Sequence, residues 1–266
     1  MNDLDATRQP ITEAVVLMAG IGSRLGKAGG ALAKPLVTIG ERPLISYTFE
    51  ALHRAGVTTI YAVMGANSDR LIEQIEPLLP TPTTLHAILN HEWQKQNGIS
   101  VLAAAGHVKP PFFLTMGDHL FEFAILDALR AATAAPLSLA VDRKISSVFD
   151  LDDAMKVQTD GDQITAIAKD LHDYHAIDTG VFLCSDEIFT YLRRAQRDGD
   201  CSLADGVRLM AAERKARAVD IGDAWWQDVD TPEMLARAEQ ESARLLRDSG
   251  SGLAEESVTS EHGAGS

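Results

Sequence analysis

Cysteine is scarce in this chain of 266 residues, and no apolar run approaches the length of a membrane span. The two cysteines, Cys184 and Cys201, are too few for a disulfide framework and lack the spacing of a metal site. A transmembrane helix needs about 20 apolar residues, and the acidic segment Met1 to Asp5 is unlike the basic start of a signal peptide. We therefore expect a cytoplasmic protein with reduced thiols and no membrane insertion.

Basic residues are also few: 24 Lys and Arg stand against 38 Asp and Glu, for a net charge of −14. This balance argues against a nucleic-acid partner, because duplex binding needs clustered positive charge. Residues 248–266 contain four acidic residues, no Lys or Arg and no aromatic residue. Such a segment has little apolar surface to bury, so we expect a disordered acidic tail after a single domain at residues 1–247.

Apolar runs alternate with helical patterns through the first half of the chain. The predicted strands are Ala14–Met18, Thr59–Met64, Thr84–Ile88, Phe112–Met116 and Leu137–Val141. The predicted helices are Leu44–Ala55, Ser68–Leu79, Ile99–Gly106 and Phe121–Ala132. This alternation predicts an α/β protein with a Rossmann-like, mostly parallel sheet and helices on both faces.

After Asp142 the pattern changes to a small inserted β-region. Its predicted strands are Met155–Gln158, Gln163–Ala168 and Ile177–Leu183, and Asp160-Gly161-Asp162 is typical of a tight hairpin turn. The remaining predicted elements are helices Ser185–Gln196 and Ser202–Glu213, strand Ala216–Ile221 and helix Thr231–Leu246. Thr231 is expected to cap the last helix at its N-terminus.

A glycine-rich loop follows the first predicted strand. The apolar run from Ala14 to Ala19 breaks at Gly20, and Gly22, Arg24 and Lys34 follow. Ligands of open α/β sheets bind at the C-terminal ends of the strands, and glycines let backbone N–H groups approach an anion closely. Two cations in the same loop suit a triphosphate.

Two other phosphate-binding loops do not match this segment. A P-loop requires Ser or Thr after its Gly-Lys pair, but Ala28 follows Gly26-Lys27. A dinucleotide-binding loop requires Gly three residues after its second glycine, and that position holds Leu25.

Two acids are candidate metal ligands. Asp118 follows the predicted strand Phe112–Met116, and Asp228 lies in a late acidic cluster with Asp230. Mg²⁺ prefers oxygen ligands and often needs only one or two carboxylates in addition to substrate phosphates. We therefore predict that Asp118 and Asp228 hold Mg²⁺. The alternatives are a helix cap for Asp118 and a turn for Asp228. His119 is expected to be structural or to support a neighbouring ligand rather than to be a base or a ligand itself.

The loop pattern A-G-x-G-x-R-L at residues 19–25, followed by Lys34-Pro35-Leu36, resembles that of the sugar-phosphate nucleotidyltransferases. The late W-x-D-x-x-T segment at residues 226–231 resembles the same family, and the resemblance extends over about residues 13 to 245. It implies that Arg24 and Lys34 stabilise charge during attack on an α-phosphorus, and that Asp118 and Asp228 hold Mg²⁺. The loop residues that it implies for nucleotide binding are Ala19, Gly20, Gly22 and Ser23.

The segment from Asn90 to Ser100 narrows the resemblance. Its N-x-x-W-x-x-x-N-x-x-S pattern is similar to that of cytidylyltransferases acting on phosphocholine and inositol 1-phosphate, and residues 199–206 are most similar to the inositol-1-phosphate enzymes. The resemblance implies that Asn97 and Ser100 contact the base or ribose of CTP. Alternatively, Asn97 is an N-cap for a helix beginning at Gly98.

The inserted β-region is expected to bind a small phosphorylated acceptor. The resemblance implies that Lys169 binds the acceptor phosphate and that Asp178 contacts acceptor hydroxyls. Lys156 is the third candidate acceptor-binding residue. The expected reaction joins CTP to inositol 1-phosphate and gives CDP-inositol and pyrophosphate. Other acceptors, such as phosphocholine, a phosphonate or a sugar 1-phosphate, and a non-catalytic nucleotide sensor are the alternatives.

Overall fold

The computed structural model describes residues 9–19, 34–65 and 68–250, with the side chains at 243, 244 and 246–250 excepted. The strands in these ranges are β1 (Glu13–Met18), β2 (Thr38–Ile39), β3 (Arg42–Pro43), β4 (Thr59–Met64), β5 (Thr84–Leu89), β6 (Phe112–Met116), β7 (His119–Phe121), β8 (Leu137–Asp142), β9 (Lys156–Asp160), β10 (Gln163–Ala168), β11 (Ala176–Cys184), β12 (Ala216–Asp220) and β13 (Trp226–Asp228). The helices are α1 (Leu44–Arg54), α2 (Ser68–Ile75), α3 (Asn97–Ala103), α4 (Phe123–Ala131), α5 (Glu187–Ala195), α6 (Leu203–Ala212) and α7 (Pro232–Gly250).

One nine-stranded sheet organises the described residues, in the order β5-β4-β1-β6-β11-β8-β12-β10-β9. The strands β5, β4, β1 and β6 are parallel neighbours, as are β8 and β12. The antiparallel pairings belong to β10 and β11, which run opposite to the other strands of the sheet. The predicted α/β fold with a mostly parallel sheet is therefore confirmed.

The first strand shows why helices cover both faces. Every residue of β1 is buried, and successive side chains of a strand point to opposite faces of the sheet. Val15 and Leu17 pack into one hydrophobic core, while Ala14, Val16 and Met18 pack into another. Helices α3, α5 and α6 contribute to the first core, and α1 and α4 contribute to the second.

The predicted hairpin of the inserted region is confirmed. Strands β9 and β10 pair in antiparallel register, and Gly161 in their turn has a φ of +60°. This hairpin extends the main sheet at one edge, and β11 lies near the middle of the same sheet. The inserted strands therefore continue the central sheet, and β11 lies between β6 and β8.

Besides shifts in the ends of several elements, the structure replaces the predicted start of one helix by a short strand. Residues 119–121 form β7 and pair with β13, so α4 begins at Phe123 and not at Phe121. Backbone pairing with a strand about 100 residues later overrides the local helical pattern. The last helix continues to Gly250, beyond the expected end at Leu246, and Thr231 Oγ1 accepts from Met234 N at 3.2 Å as predicted for its cap. Residues 251–266 of the predicted tail lie outside the described residues.

Candidate active site

An open cleft of about 430 Å³ lies where β1 and β6 end. Because both strands run in the same direction, their C-terminal ends meet at one edge of the sheet, where ligands bind in this class of fold. The predicted site residues that line this cleft are Ala19, Asn97, Ser100, Asp118, Lys169, Asp178 and Asp228. Residues predicted from different segments of the sequence are thus brought to one place.

The rest of the predicted phosphate loop cannot be located in the same way. Gly20, Gly22, Ser23 and Arg24 lie outside the described residues, so their predicted roles stay predictions. Lys34 is the first described residue after that gap and begins a short 3₁₀ turn with Pro35.

The Lys34 ammonium lies between two carboxylates of the cleft. Its Nζ donates to Asp118 Oδ2 at 3.0 Å and also forms an ion pair with Asp230 Oδ1. Burial lowers the pKa of Lys34, but the charges and hydrogen bonds of Asp118 and Asp230 outweigh burial and raise it. The lysine is therefore a fixed positive charge at the edge of the cleft.

Asp118 is placed by a tight approach of two strand ends. Gly117 precedes it, and a Cβ at that glycine would lie 2.8 Å from Met18 Cγ. Burial alone would raise the pKa of Asp118, but the hydrogen bond and charge of His119, together with Lys34, hold it well below its usual value. Asp118 is consequently ionised at neutral pH.

The late acids come from the β13 segment. The β7–β13 register places Asp228 opposite His119, and Val229 N donates to Asp118 O at 2.9 Å. Asp228 Oδ1 accepts from Gln227 Nε2 at 3.0 Å. Burial raises the pKa of Asp228, as do the negative charges of Asp230 and Asp118, while His119 opposes the shift.

Asp230, which the prediction left outside the metal ligands, shares the Lys34 ammonium with Asp118. The signal in the sequence was its spacing of two residues from Asp228, which predicts the same strand face. Among the described residues no group of three or more His, Cys, Asp and Glu has the geometry of a metal site. Even so, carboxylate oxygens of Asp118 and Asp230 lie close together around the Lys34 ammonium. Carboxylate oxygens are the ligands that a hard divalent cation prefers, and substrate phosphates can complete its coordination.

Asn97 and Ser100 belong to α3 and also line the cleft. Asn97 is the first residue of α3, and its Oδ1 accepts from Leu203 N at 2.8 Å. It therefore accepts from the backbone N–H of the first residue of α6, whose N-cap is Ser202, whereas the predicted cap of its own helix is wrong. Ser100 Oγ accepts from Asn90 Nδ2 at 3.0 Å and is buried. Their predicted contacts with the nucleotide stay predictions.

The predicted acceptor residues lie in β9, directly after β10 and in β11. Lys169 is half exposed at the cleft and forms an ion pair with Asp153 at 2.5 Å. Lys156 is buried, and its Nζ donates to Lys169 O at 2.6 Å, so it supports the backbone beside Lys169 and does not line the described part of the cleft. Asp178 Oδ1 accepts from Gly180 N at 2.7 Å, and burial raises the pKa of Asp178 to about 6.

Three cleft residues without a predicted binding role surround the carboxylates. The His119 ring bonds to Asp118 through Nδ1 at 2.8 Å and stacks on Trp226, with ring centroids 6.3 Å apart. Gly180 approaches the same imidazole from β11. The prediction that His119 is structural or supports a neighbouring ligand did not include the stacking on Trp226, because that contact depends on the β7–β13 pairing.

Comparison with known proteins agrees with this geometry. Residues 14–200 match the model of the MobA-like NTP transferase domain. The chain belongs to this family. The match begins within β1 and continues beyond α5, so it includes the cleft residues directly after β6 and β10 and those in β11.

Two curated relatives are similar over most of the NTP transferase chain. A bifunctional IPC transferase and DIPP synthase from Archaeoglobus fulgidus is 32% identical over 235 residues, covering 88% of this chain and 44% of the relative. The protein of the same name from Thermococcus kodakarensis is 32% identical, with coverages of 85% and 49%. The chain thus spans about half the length of these relatives.

A solved structure shows the same fold. The inositol-1-phosphate CTP transferase from T. maritima superposes with a TM-score of 0.82 at 24% identity, covering 93% of this chain and 99% of that one. This likeness confirms the nucleotidyltransferase fold. No helix in the described ranges combines the length and the apolar character that crossing a membrane requires.

Proposed function

We propose that this chain is a Mg²⁺-dependent cytidylyltransferase that joins CTP to inositol 1-phosphate, giving CDP-inositol and pyrophosphate. The observation that carries the proposal is the contact of Lys34 with both Asp118 and Asp230 at the end of β6, in the same cleft as Lys169 and Asp178. The cleft therefore combines groups suited to nucleotide phosphates with groups suited to a phosphorylated, hydroxylated acceptor. The names of the relatives support the choice of acceptor.

The reaction needs no protein nucleophile. A phosphate oxygen of the acceptor attacks the α-phosphorus of CTP, the bond between that phosphorus and the bridging oxygen breaks, and pyrophosphate leaves with the bond electrons. Catalysis then depends on alignment and on stabilising the charge of the phosphate oxygens. Lys34 and Arg24 would contribute positive charge, and the glycine loop with Ala19 would bind the phosphates.

The carboxylates provide the oxygen donors that Mg²⁺ prefers. Asp118 and Asp228 would hold the ion, and Asp230 has an oxygen at the same ammonium as Asp118. When bound, Mg²⁺ would neutralise charge on the phosphate oxygens. Without the ion, the Lys34 ammonium pairs with Asp118 and Asp230 and offsets the repulsion between these two acids.

The predicted acceptor residues favour a polyol phosphate. Lys169 can exchange its exposed partner Asp153 for a phosphate, and Asp178 can accept a hydroxyl hydrogen bond. Phe149 and Trp226 also line the cleft, and aromatic faces can bind an ammonium group such as that of phosphocholine. However, Arg237 already lies over the Phe149 ring at 5.0 Å, and Trp226 stacks on His119. Both rings therefore have one face covered by a cation or an imidazole.

We also place the reaction in the cytoplasm. Cys184 and Cys201 are free and buried, which agrees with a reducing compartment.

Pyrophosphate release over four nucleoside triphosphates and a panel of phosphorylated acceptors tests the proposal. The panel contains inositol 1-phosphate, glucose 1-phosphate, phosphocholine and an aminoalkyl phosphonate, each with Mg²⁺ and with excess chelator. The highest kcat/KM is expected for CTP with inositol 1-phosphate, and only with Mg²⁺. If CTP is preferred with a different acceptor, the assignment as a cytidylyltransferase stands and that acceptor replaces inositol 1-phosphate in the proposal. Nucleotide binding without pyrophosphate release from any pair would favour the non-catalytic sensor.

A further inference from the structure

We propose that His119 is a positioning residue that orients the Asp118 carboxylate, and that Trp226, Gly180 and Asp142 hold the imidazole in place. The inference rests on the proposed nucleotidyl transfer, in which Asp118 belongs to the reactive site. His119 lines the cleft but reaches Asp118 through a single ring nitrogen, at 2.8 Å.

The first link fixes both oxygens of one carboxylate. Asp118 Oδ1 faces His119 Nδ1, while Asp118 Oδ2 accepts from Lys34 Nζ at 3.0 Å. An ionised carboxylate can only accept hydrogen bonds, so Nδ1 carries the hydrogen in this pair. With one oxygen bound on each side, the carboxyl group cannot rotate freely. A partner that orients a ligating side chain in this way commonly changes affinity or activity by 10–100-fold when it is removed.

The second link fixes the imidazole ring. Trp226 stacks on it, with an interplanar angle of 20°. The backbone of Gly180 also lies against the ring, because a Cβ at this position would stand 2.6 Å from both Cδ2 and Nε2 of His119. Gly180 also has a φ of +73°, which other residues adopt only with strain. Only glycine at this position allows the ring to lie where Asp118 needs it.

The third link fixes the indole that the imidazole stacks on. Trp226 Nε1 donates to Asp142 Oδ2 at 3.0 Å, and Asp142 is 3% exposed. The other carboxylate oxygen accepts from Lys144 N at 2.7 Å and pairs with Lys144 Nζ at 2.9 Å. A buried charge that is paired and hydrogen-bonded is a rigid anchor, because breaking one partner leaves it uncompensated. The contacts thus run without a gap from the end of β8 to Asp118.

A histidine that only fills space would behave differently from one that donates through Nδ1. Three substitutions separate these roles. In His119→Asn the amide nitrogen stands near the position of Nδ1, in His119→Gln it reaches towards the position of Nε2, and His119→Leu keeps volume but has no donor. His107→Leu is the matched control, because His107 is exposed and outside the cleft.

The experiment measures kcat at saturating substrates, the Mg²⁺ concentration for half-maximal rate and the melting temperature of each variant. His119→Leu is expected to lower kcat by about 10–100-fold. His119→Asn should recover most of that loss, His119→Gln should not, and His107→Leu should match the wild type. Trp226→Phe, which removes the hydrogen bond to Asp142, should add little to His119→Leu, because residues that act through one another are not additive.

A second readout does not depend on turnover. In long-range ¹H–¹⁵N spectra, the Nδ1 hydrogen of His119 should give a resolved resonance in the wild type that disappears in His119→Leu and shifts in Asp118→Asn. Loss of kcat in both His119→Leu and His119→Asn to the same extent, or full activity of His119→Leu, would overturn the proposal. If the wild type releases no pyrophosphate, the proposed function fails, and the spectra alone then test the positioning role. In that case an unshifted His119 resonance in Asp118→Asn would overturn the hydrogen bond between the two side chains.

Discussion

Lys34 and Asp230 form an ion pair although 196 residues separate them in the chain. The same ammonium contacts Asp118 at the end of β6, so three distant segments meet at one nitrogen atom. Two carboxylates on one lysine keep that lysine charged and hold the acids close together, although they repel each other. Lys34 can therefore organise the acidic part of the cleft before a nucleotide binds, and stabilise phosphate charge when one does.

Replacing Lys34 by alanine should lower kcat more than it raises the KM for CTP. The reason is that the ammonium stabilises charge that is greatest in the transition state, so its removal affects the barrier more than binding. We expect a fall in kcat of about two orders of magnitude. Steady-state rates with varied CTP at saturating acceptor measure both constants, with Lys109→Ala as an exposed control. A change confined to KM would make Lys34 a simple binding residue.

Asp118→Asn and Asp228→Asn should each reduce kcat in Mg²⁺ by at least about a hundredfold, through loss of electrostatic stabilisation. Asp230→Asn should also lower kcat, because it removes one of the two partners of Lys34. Folding should survive in all three, since the side chains lie at an open cleft. Kinetics and melting curves are compared with those of Asp223→Asn, an exposed acid of the same segment. Near-normal turnover of Asp118→Asn or Asp228→Asn would contradict the metal assignment.

Much of this fold could be predicted because its signals are local. The buried run of β1, the acid after β6 and the Asp160–Asp162 turn each predict an element within a few residues. Parallel neighbouring strands have their C-terminal ends at the same edge of the sheet, so Ala19 and Asp118 meet in one cleft. This meeting could be predicted without knowing any other contact.

The remaining contacts could not be predicted because they depend on long-range pairing. The strands β7 and β13 have three residues each, too few for a two-residue period to be recognised, and the local pattern at Phe121 favours a helix. Their pairing places His119 directly opposite Asp228 on the neighbouring strand. Two residues further along the chain, Asp230 then lies beside Lys34. The side-chain contact of Asn97 with α6 has the same origin, since it depends on how two helices pack.

The carboxyl group of Asp178 should make stability depend on pH. Burial raises its pKa from 3.8 to about 6, so the folded state holds this proton more tightly than the unfolded state does. Stability from this group is therefore full below pH 3.8 and is lost as pH rises to about 6. Asp178→Asn keeps an oxygen for Gly180 N but does not titrate. The free energy of unfolding of Asp178→Asn minus that of the wild type should therefore increase with pH. Between pH 4.5 and pH 7.5 we expect this difference to grow by on the order of 1–3 kcal/mol. Urea unfolding at the two pH values measures this difference, and equal differences would contradict it.

Lys169→Ala should weaken the binding of the acceptor and leave CTP binding nearly intact. Its ammonium is half exposed in the cleft, and its present partner Asp153 is equally accessible, so an incoming phosphate can replace that carboxylate. We expect the KM for inositol 1-phosphate to rise by roughly tenfold, as for loss of one charge-assisted hydrogen bond. Lys109→Ala is again the control. An equal rise in the KM for CTP would place Lys169 at the nucleotide and not at the acceptor.

Base selectivity should favour CTP over ATP and GTP by at least about a hundredfold in kcat/KM, with UTP the nearest competitor. Asn97 and Ser100 lie on one wall of the cleft, and Trp93 lies near them, so the space for a base is bounded by a helix and an aromatic side chain. Polar groups that are buried against the correct base would be left unpaired by another base, and this makes rejection strong.

Ser100→Ala removes a hydroxyl already bonded to Asn90 and should reduce the preference for CTP over UTP. Turnover with CTP should stay within about fivefold of the wild type, which corresponds to the loss of about one hydrogen bond. Competition assays with mixed triphosphates measure the ratio directly. A wild-type preference for a purine triphosphate would overturn the assignment of cytosine and leave nucleotidyl transfer standing.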